Sequence, residues 1–379
     1  MKPFYTNLIA NEIITDGDYY YAINGIGNKL YKIKVDNLEV VSSCEINTDR
    51  DQDYLLYMHG VRCGNKLYYA PHAAKSIGIY NIQNNSMSSI ECEDLKINKS
   101  LGAVNGKYTY SFAYNNSIYF LGFNVPAIMK LDLKRTTVTY VSVPENVKEN
   151  YNGWGYFSQG VVSLEKDVFL IPMGCEGCLM RLDTIKDEVD LVAPSFANEI
   201  SGIGGLAVDS EGIVWLTSRN TKENKLISWD SNRDIYNVYD FNMQIREYGT
   251  YYAPIITKDY IYVFPESIDH IYRLSVHSNK METVEGLDNL INTNKSSRYF
   301  GSGIVGLRKI GDKVVFFTCY DYAFNDYDLL TEIGRKCFID IGCDNKLRYL
   351  KMITDKGYIT EPELDLKGFI DSLNQGIEA

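Results

Sequence analysis

A chain of 379 residues, 45% hydrophobic and 23% charged, has a globular composition and enough apolar residues for a large core. Its net charge of −11 repels a phosphate backbone and no run of Lys or Arg offsets it, so nucleic acid is not an expected partner. No 18 apolar residues run together, and the opening stretch MKPFYTNLIANEIITDGD meets acidic residues early. Neither a membrane span nor a signal peptide is therefore expected, and the chain reads as cytoplasmic with no membrane partner.

The 31 tyrosines favour strands, because aromatic side chains suit a pleated, half-buried surface. The first recognisable unit spans about 4–46, with a turn at Asp16-Gly17-Asp18, an aromatic strand centre at Tyr20 and a loose second turn at Val35-Asp36-Asn37. The plan is clearest in the second, 55–92: a short run (MHGVRC), a turn (GN), an apolar run (KLYYAP), a loop (HAAKS), another apolar run (IGIYNI), a polar turn (QNNS) and a last run (MSSIEC). That is four short strands, a sheet too thin to bury both faces alone. Equivalent units follow at about 107–144, 156–193, 201–241, 250–286 and 300–353.

Two anchors fix this register. The aromatic centre of the second strand falls at Tyr20, Tyr68, Tyr119, Phe169, Trp215, Tyr262 and Phe316, at intervals of 48, 51, 50, 46, 47 and 54 residues. The third strand ends in an apolar residue and a turn-former: Tyr80-Asn81, Leu131-Asp132, Leu182-Asp183, Trp229-Asp230, Leu274-Ser275 and, in the seventh unit, Ile339-Asp340. On that reading the stretch YDYAFNDYDLLTEIGRK is an insertion between the second and third strands of the seventh unit. The linkers 145–155 and 287–299 are the long ones, and the second has room for a turn of helix. Beyond residue 355, Pro362 with Leu366, Phe369, Ile370 and Leu373 predicts a short amphipathic helix in a tail at 356–379.

Repeats of roughly 40 to 50 residues, each of four strands, are the mark of a radial array. The chain is all-β and resembles the β-propeller superfamily, and the expectation is one seven-bladed propeller over 1–355. The segment Val208 to Trp215 is similar to the D-x-x-G-x-x-W signature of streptogramin-lyase-like propellers. CGNKLYYAPHAAKSIGIYNI and YNNSIYFLGFNVPAIMKLDL look Kelch-like, although the Kelch double glycine is missing from most repeats. The resemblance lies in the fold, and no catalytic residue is carried over.

In such a blade the loop between strands two and three and the loop entering strand one share one end. Loops on a rigid frame converge there, so that end is the expected ligand face. The spacing places His59, His72, Arg219, Glu266, His270, Tyr320 and Asp321 at that end, with Trp154 and Tyr156 in the linker into the fourth repeat. His277 falls at the other end. Aromatics such as Tyr69, Tyr110, Tyr251, Tyr252 and Tyr322 offer flat faces for a sugar ring or a peptide. Cys175-Glu-Gly-Cys178 sits in a strand connection with no helix after its first Cys, and reads as a loop rather than a redox motif. The eight cysteines are expected as thiols. No short-range metal motif and no cofactor fingerprint is found. The function expected is recognition of a protein, peptide or glycan on the loop-rich face. The alternative is a carbohydrate-active lyase, epimerase or hydrolase with His59, His72 and His270 near the axis.

Overall fold

A computed structural model describes residues 7–24, 29–46, 56–93, 106–149, 151, 153, 155–220, 223–241, 250–266, 270–291, 303–319 and 321–342. The predicted tail at 356–379 lies outside them. The described chain folds into seven four-stranded antiparallel sheets, each taken from consecutive strands. Blade 1 is β1 (Ala10–Thr15), β2 (Tyr19–Asn24), β3 (Lys29–Lys34) and β4 (Val40–Glu45). Blade 2 is β5 (Tyr57–Cys63), β6 (Lys66–Pro71), β7 (Ser76–Asn81) and β8 (Ser86–Glu91). Blade 3 is β9 (Tyr108–Tyr114), β10 (Ser117–Gly122), β11 (Ala127–Asp132) and β12 (Thr137–Ser142). A short helix, α1 (Glu145–Glu149), leads to blade 4: β13 (Val162–Glu165), β14 (Val168–Pro172), β15 (Leu179–Asp183) and β16 (Glu188–Val192). Blade 5 is β17 (Ile203–Val208), β18 (Val214–Ser218), β19 (Lys225–Asp230) and β20 (Ile235–Asp240). Blade 6 is β21 (Ile255–Ile256), β22 (Tyr260–Val263), β23 (Tyr272–Ser275) and β24 (Met281–Thr283), followed by α2 (Glu285–Asp288). Blade 7 is β25 (Ile304–Ile310), β26 (Lys313–Thr318), β27 (Ala323–Asp328) and β28 (Gly334–Cys337).

Burial explains why each strand has the sequence it has. Second strands such as SIYFLG and VFLIP are buried along their whole length, because neighbouring blades cover both faces. Fourth strands such as VVSSCE alternate half-buried and exposed, because they form the outer rim. All seven aromatic anchors are buried on second strands.

The apolar core divides into seven clusters, one for each pair of adjacent blades. An open stack of seven sheets has only six such interfaces, so the seventh closes the ring. It joins Ile13, Tyr20 and Ala22 of blade 1 to Val315, Phe317 and Phe324 of blade 7. Among the described residues no strand is exchanged across this seam. The ends of the ring meet in a single bridge between Asn7 and Asp340, beside a hydrogen bond from the Leu8 amide to the Ile339 carbonyl at 2.8 Å.

That seam corrects one expectation. Ile339-Asp340 does not end the third strand of blade 7, and YDYAFNDYDLLTEIGRK is not an insertion. Its AFNDYD is the third strand itself, β27, paired residue for residue with β26. Two polar residues hid it. Asn325 is fully buried and donates to the Ala323 carbonyl at 3.1 Å, and Asp326 is buried against the Arg335 guanidinium of β28. The α1 turn was also not anticipated in its linker. Its buried face is Val147, and Lys148 pairs with Glu145 at 2.9 Å.

Candidate functional site

Antiparallel pairing in chain order sends every connection between second and third strands to one end of the ring, together with every blade-to-blade linker. Counting four residues past each aromatic anchor gives Asn24, His72, Phe123, Met173, Arg219, Glu266 and Tyr320. These are equivalent positions, one per blade, just as the second strand leaves the sheet. Four of them were candidates from sequence. Tyr320 and the linker residue Trp154 lie outside the described residues.

Arg219 is the blade 5 member of this set. Its backbone amide donates to the Gly202 carbonyl at 2.7 Å, which fixes where the side chain starts. A side chain at residue 202 would put a Cβ 2.3 Å from the Gly174 carbonyl oxygen and 3.1 Å from the Arg219 Cβ, so only glycine admits this approach. The arginine is 8% exposed. Its guanidinium carbon lies 5.6 Å from the ring centre of Phe123, which comes from blade 3, two blades away. Glu266 of blade 6, Tyr151 of the linker before blade 4 and Cys175 of blade 4 lie within its electrostatic reach. One side chain of blade 5 thus interacts with groups from blades 3, 4 and 6, as it does if it points across the mouth of the ring.

The electrostatics of this group are unusual. Burial lowers the pKa of Arg219, while Glu266 acts to raise it. The Nε atom is buried and has no hydrogen-bond partner, and no acceptor within the described residues bonds the guanidinium. Burial pushes the Cys175 thiol up to about 12, and Glu176 adds to the effect, so this sulfur stays protonated. Cys175 and Cys178 are both thiols and both shifted away from thiolate, the opposite of what a redox motif needs.

The other candidates are not brought together. His72 is buried between blades 2 and 3. Its Nδ1 lies 3.4 Å from the Tyr108 carbonyl, and burial lowers its pKa to about 4, so it packs as a neutral ring. His270 is exposed and bonds through Nδ1 to Asp288 of α2 at 2.8 Å, which ties it to the outer rim. Asp321 pairs with Lys336 at 2.8 Å and accepts a bond from Thr318 within its own blade. Tyr69, Tyr251, Tyr252 and Tyr322 are buried in the core and present no stacking face. Among the described residues no three His, Cys, Asp or Glu side chains are grouped as a metal set.

His59 belongs to a second cluster, on the innermost strands. Its Nδ1 sits 3.0 Å from Ser111 Oγ and 3.1 Å from the Ser111 amide, and its ring lies 4.1 Å from that of Tyr110. Arg308 of blade 7 bonds Glu12 of blade 1 through Nε at 2.8 Å and reaches the Gly60 carbonyl at 3.0 Å. Burial raises Glu12 to about 7, against the pull of Arg308 and of backbone bonds at Gly60 and Ile13. Burial and the Arg308 charge hold His59 far below the usual imidazole range. Irregular pairing aims these residues at the axis: the ladders shift register between Ala10 and Glu12, Tyr57 and Gly60, and Val305 and Arg308. Glu12 and Arg308 were missed in sequence. Both stand eight residues before their anchors, where the other repeats carry Gly60, Ser111, Val161, Ala207 and Pro254. Two opposite charges at one otherwise neutral repeat position were a readable signal.

No protein-family model and no curated protein matches the sequence. Solved structures do match. The extracellular domain assigned to a one component system of B. thetaiotaomicron has a TM-score of 0.58 and 13% identity over 87% of this chain, which spans only 41% of that one. BamB from Moraxella catarrhalis matches with a TM-score of 0.54 and 12% identity, over 85% of this chain and 97% of its own. YCF48 bound to D1 peptide matches with a TM-score of 0.53 and 9% identity, over 82% and 90%. At these identities the likeness is one of fold alone.

Proposed function

We propose that this propeller is a recognition module that takes a protein or peptide segment on the end where its second-to-third strand loops converge. One observation carries the reading: a buried arginine of blade 5 interacts with groups from blades 3, 4 and 6 while its Nε makes no hydrogen bond. Binding energy concentrates in a few desolvated Arg and aromatic groups, and Arg219 with Phe123 has that character. YCF48, of similar fold, is seen with a D1 peptide bound, which is consistent with a peptide ligand here. The carbohydrate-active alternative draws no support from the histidines, since His59, His72 and His270 occupy three separate environments.

A panel of displayed peptides and a glycan array, probed with the protein and with Phe123→Ala, tests the reading. Peptide ligands are expected, with affinity reduced at least tenfold in Phe123→Ala and unchanged in Arg233→Ala, a turn residue at the opposite end. Ligands confined to glycans, or peptides indifferent to Phe123 and lost with Arg233→Ala, would overturn it.

A further inference from the structure

We infer that the guanidinium of Arg219 is a carboxylate-binding group, and that the recognised segment delivers a carboxylate to it, from a chain terminus or an acidic side chain. The inference rests on the recognition reading and names the chemistry of the same site.

The argument begins with a cost. A buried charge without partners is costly, because it loses water and gains nothing in return. Structural arginines escape this by pairing, as Arg308 does with Glu12 and the Gly60 carbonyl. Arg219 is buried to a comparable or greater degree, yet its Nε has no acceptor and no carboxylate within the described residues pairs with it. Glu266 is near enough to influence it but forms no ion pair. Nor is the group loosely held: its backbone is fixed to Gly202, and the Phe123 ring stands 5.6 Å from the guanidinium carbon. The guanidinium is therefore held in position without a carboxylate partner among the described residues.

That guanidinium selects the ligand. Its planar fork offers pairs of parallel donors that match the two oxygens of a carboxylate. A phosphate carries more charge and more acceptor oxygens than one guanidinium satisfies. The nearby Glu266 and the net charge of −11 also penalise a dianion more than a monoanion. The aromatic Phe123 and the protonated Cys175 give the surroundings an apolar character, which suits a carboxylate on an apolar stem.

The test uses three probes, benzoate, its neutral isostere benzamide and inorganic phosphate, each followed by the thermal midpoint of the full chain. Benzoate well above its dissociation constant is expected to raise the midpoint by roughly 2 °C or more. Benzamide and phosphate are expected to leave it unmoved. In Arg219→Met the benzoate response disappears, while the midpoint in buffer equals or exceeds that of the parent, because an unpaired buried charge has been removed. Arg219→Lys, which keeps the charge and loses the fork, is expected to lose most of the response, and it serves should the Met variant not fold. A benzoate response of full size in either variant, an equal response to phosphate, or no response in the parent overturns the proposal. Peptides from the panel are then compared as free acids and amides. Peptides bound equally in both forms, and equally by Arg219→Met, leave recognition standing and remove the carboxylate. A benzoate response with no peptide bound leaves the carboxylate site standing and removes peptide recognition.

Discussion

Glu12 shows how a single axial residue sets a solution property. Its folded pKa of about 7 lies above the ordinary 4.5, and burial is the main cause. A carboxyl raised on folding contributes stability that is fully present below its unfolded value and is lost as pH climbs through the folded one. The window is therefore about pH 4.5 to 7, and the shift corresponds to about 3 kcal/mol. Burial, with the Arg308 charge, pushes His59 the opposite way, well below the usual imidazole range, so the two groups of the cluster titrate apart. Urea midpoints at pH 5 and pH 8 check this: the parent should lose about 2 kcal/mol more stability than Glu12→Gln between those values. Equal losses in parent and variant would show that Glu12 ionises normally. At this scale the site was half legible. His72, Arg219, Glu266 and Tyr320 share one register relative to the anchors, so spacing alone put them on a common ring. Which of them faces the mouth depends on the neighbouring blade, which spacing does not encode. His72 is closed in because Gly106 of the next linker packs directly on its ring: a Cβ on Gly106 would lie 1.7 Å from it. Arg219 is buried too, but its neighbours offer its Nε no acceptor.

At the scale of the element, the turn between third and fourth strands is the most regular object in the molecule. Its first residue, the Asn or Asp that ends the strand, accepts backbone amides two and three residues on. Asp132 takes those of Lys134 and Arg135, Asp183 those of Ile185 and Lys186, and Asp230 those of Asn232 and Arg233. Four residues past that Asn, Asp or equivalent, every blade carries a non-glycine residue with φ between 52° and 60°: Leu38, Asn85, Thr136, Asp187, Asp234, Asn279 and Glu332. Asn and Asp tolerate this conformation, whereas a β-branched residue is strained in it. Thr136→Asn is therefore expected to raise stability by roughly 0.5–1 kcal/mol, and Asn279→Thr, the reciprocal change in blade 6, to lower it by a similar amount. Thermal denaturation of the pair decides it, and a neutral Thr136→Asn would mean that the backbone there carries no strain. The same chemistry explains the one misread blade. Asp340 accepts the Gly342 amide at 2.9 Å, a true side-chain turn of the kind sought, but it follows the fourth strand. The third-strand turn is at Asp328, which accepts the amides of Leu330 and Thr331. Local turn chemistry was read correctly and assigned to the wrong strand, because the buried polar pair Asn325 and Asp326 disguised the apolar run before it.

For the whole molecule, the repeat count was legible because each strand answers to its own sheet, and closure was legible only as an inference from thin sheets with exposed edges. What sequence did not show is how the ring closes. Propagating a repeat requires only that blade n covers blade n+1, and the last interface must be made by residues about 300 positions apart, as with Glu12 and Arg308 at 296. The seam has the makings of an ordinary interface: Phe317 is 1% exposed, as buried as Phe120 between blades 2 and 3 at 0%. If closure is made by the same packing as the rest, Phe317→Ala and Phe120→Ala should each cost about 3–5 kcal/mol, and each variant should still unfold in one transition. A weaker seam predicts a different pattern, in which Phe317→Ala opens blades 1 and 7 first and hydrogen exchange speeds up in β1 and β26 well before β10. Measuring exchange in both variants separates the two. Uniform loss of protection identifies a ring whose rigidity is shared by all seven blades, the condition under which Arg219, Phe123 and Glu266 keep fixed positions across the loop-bearing end.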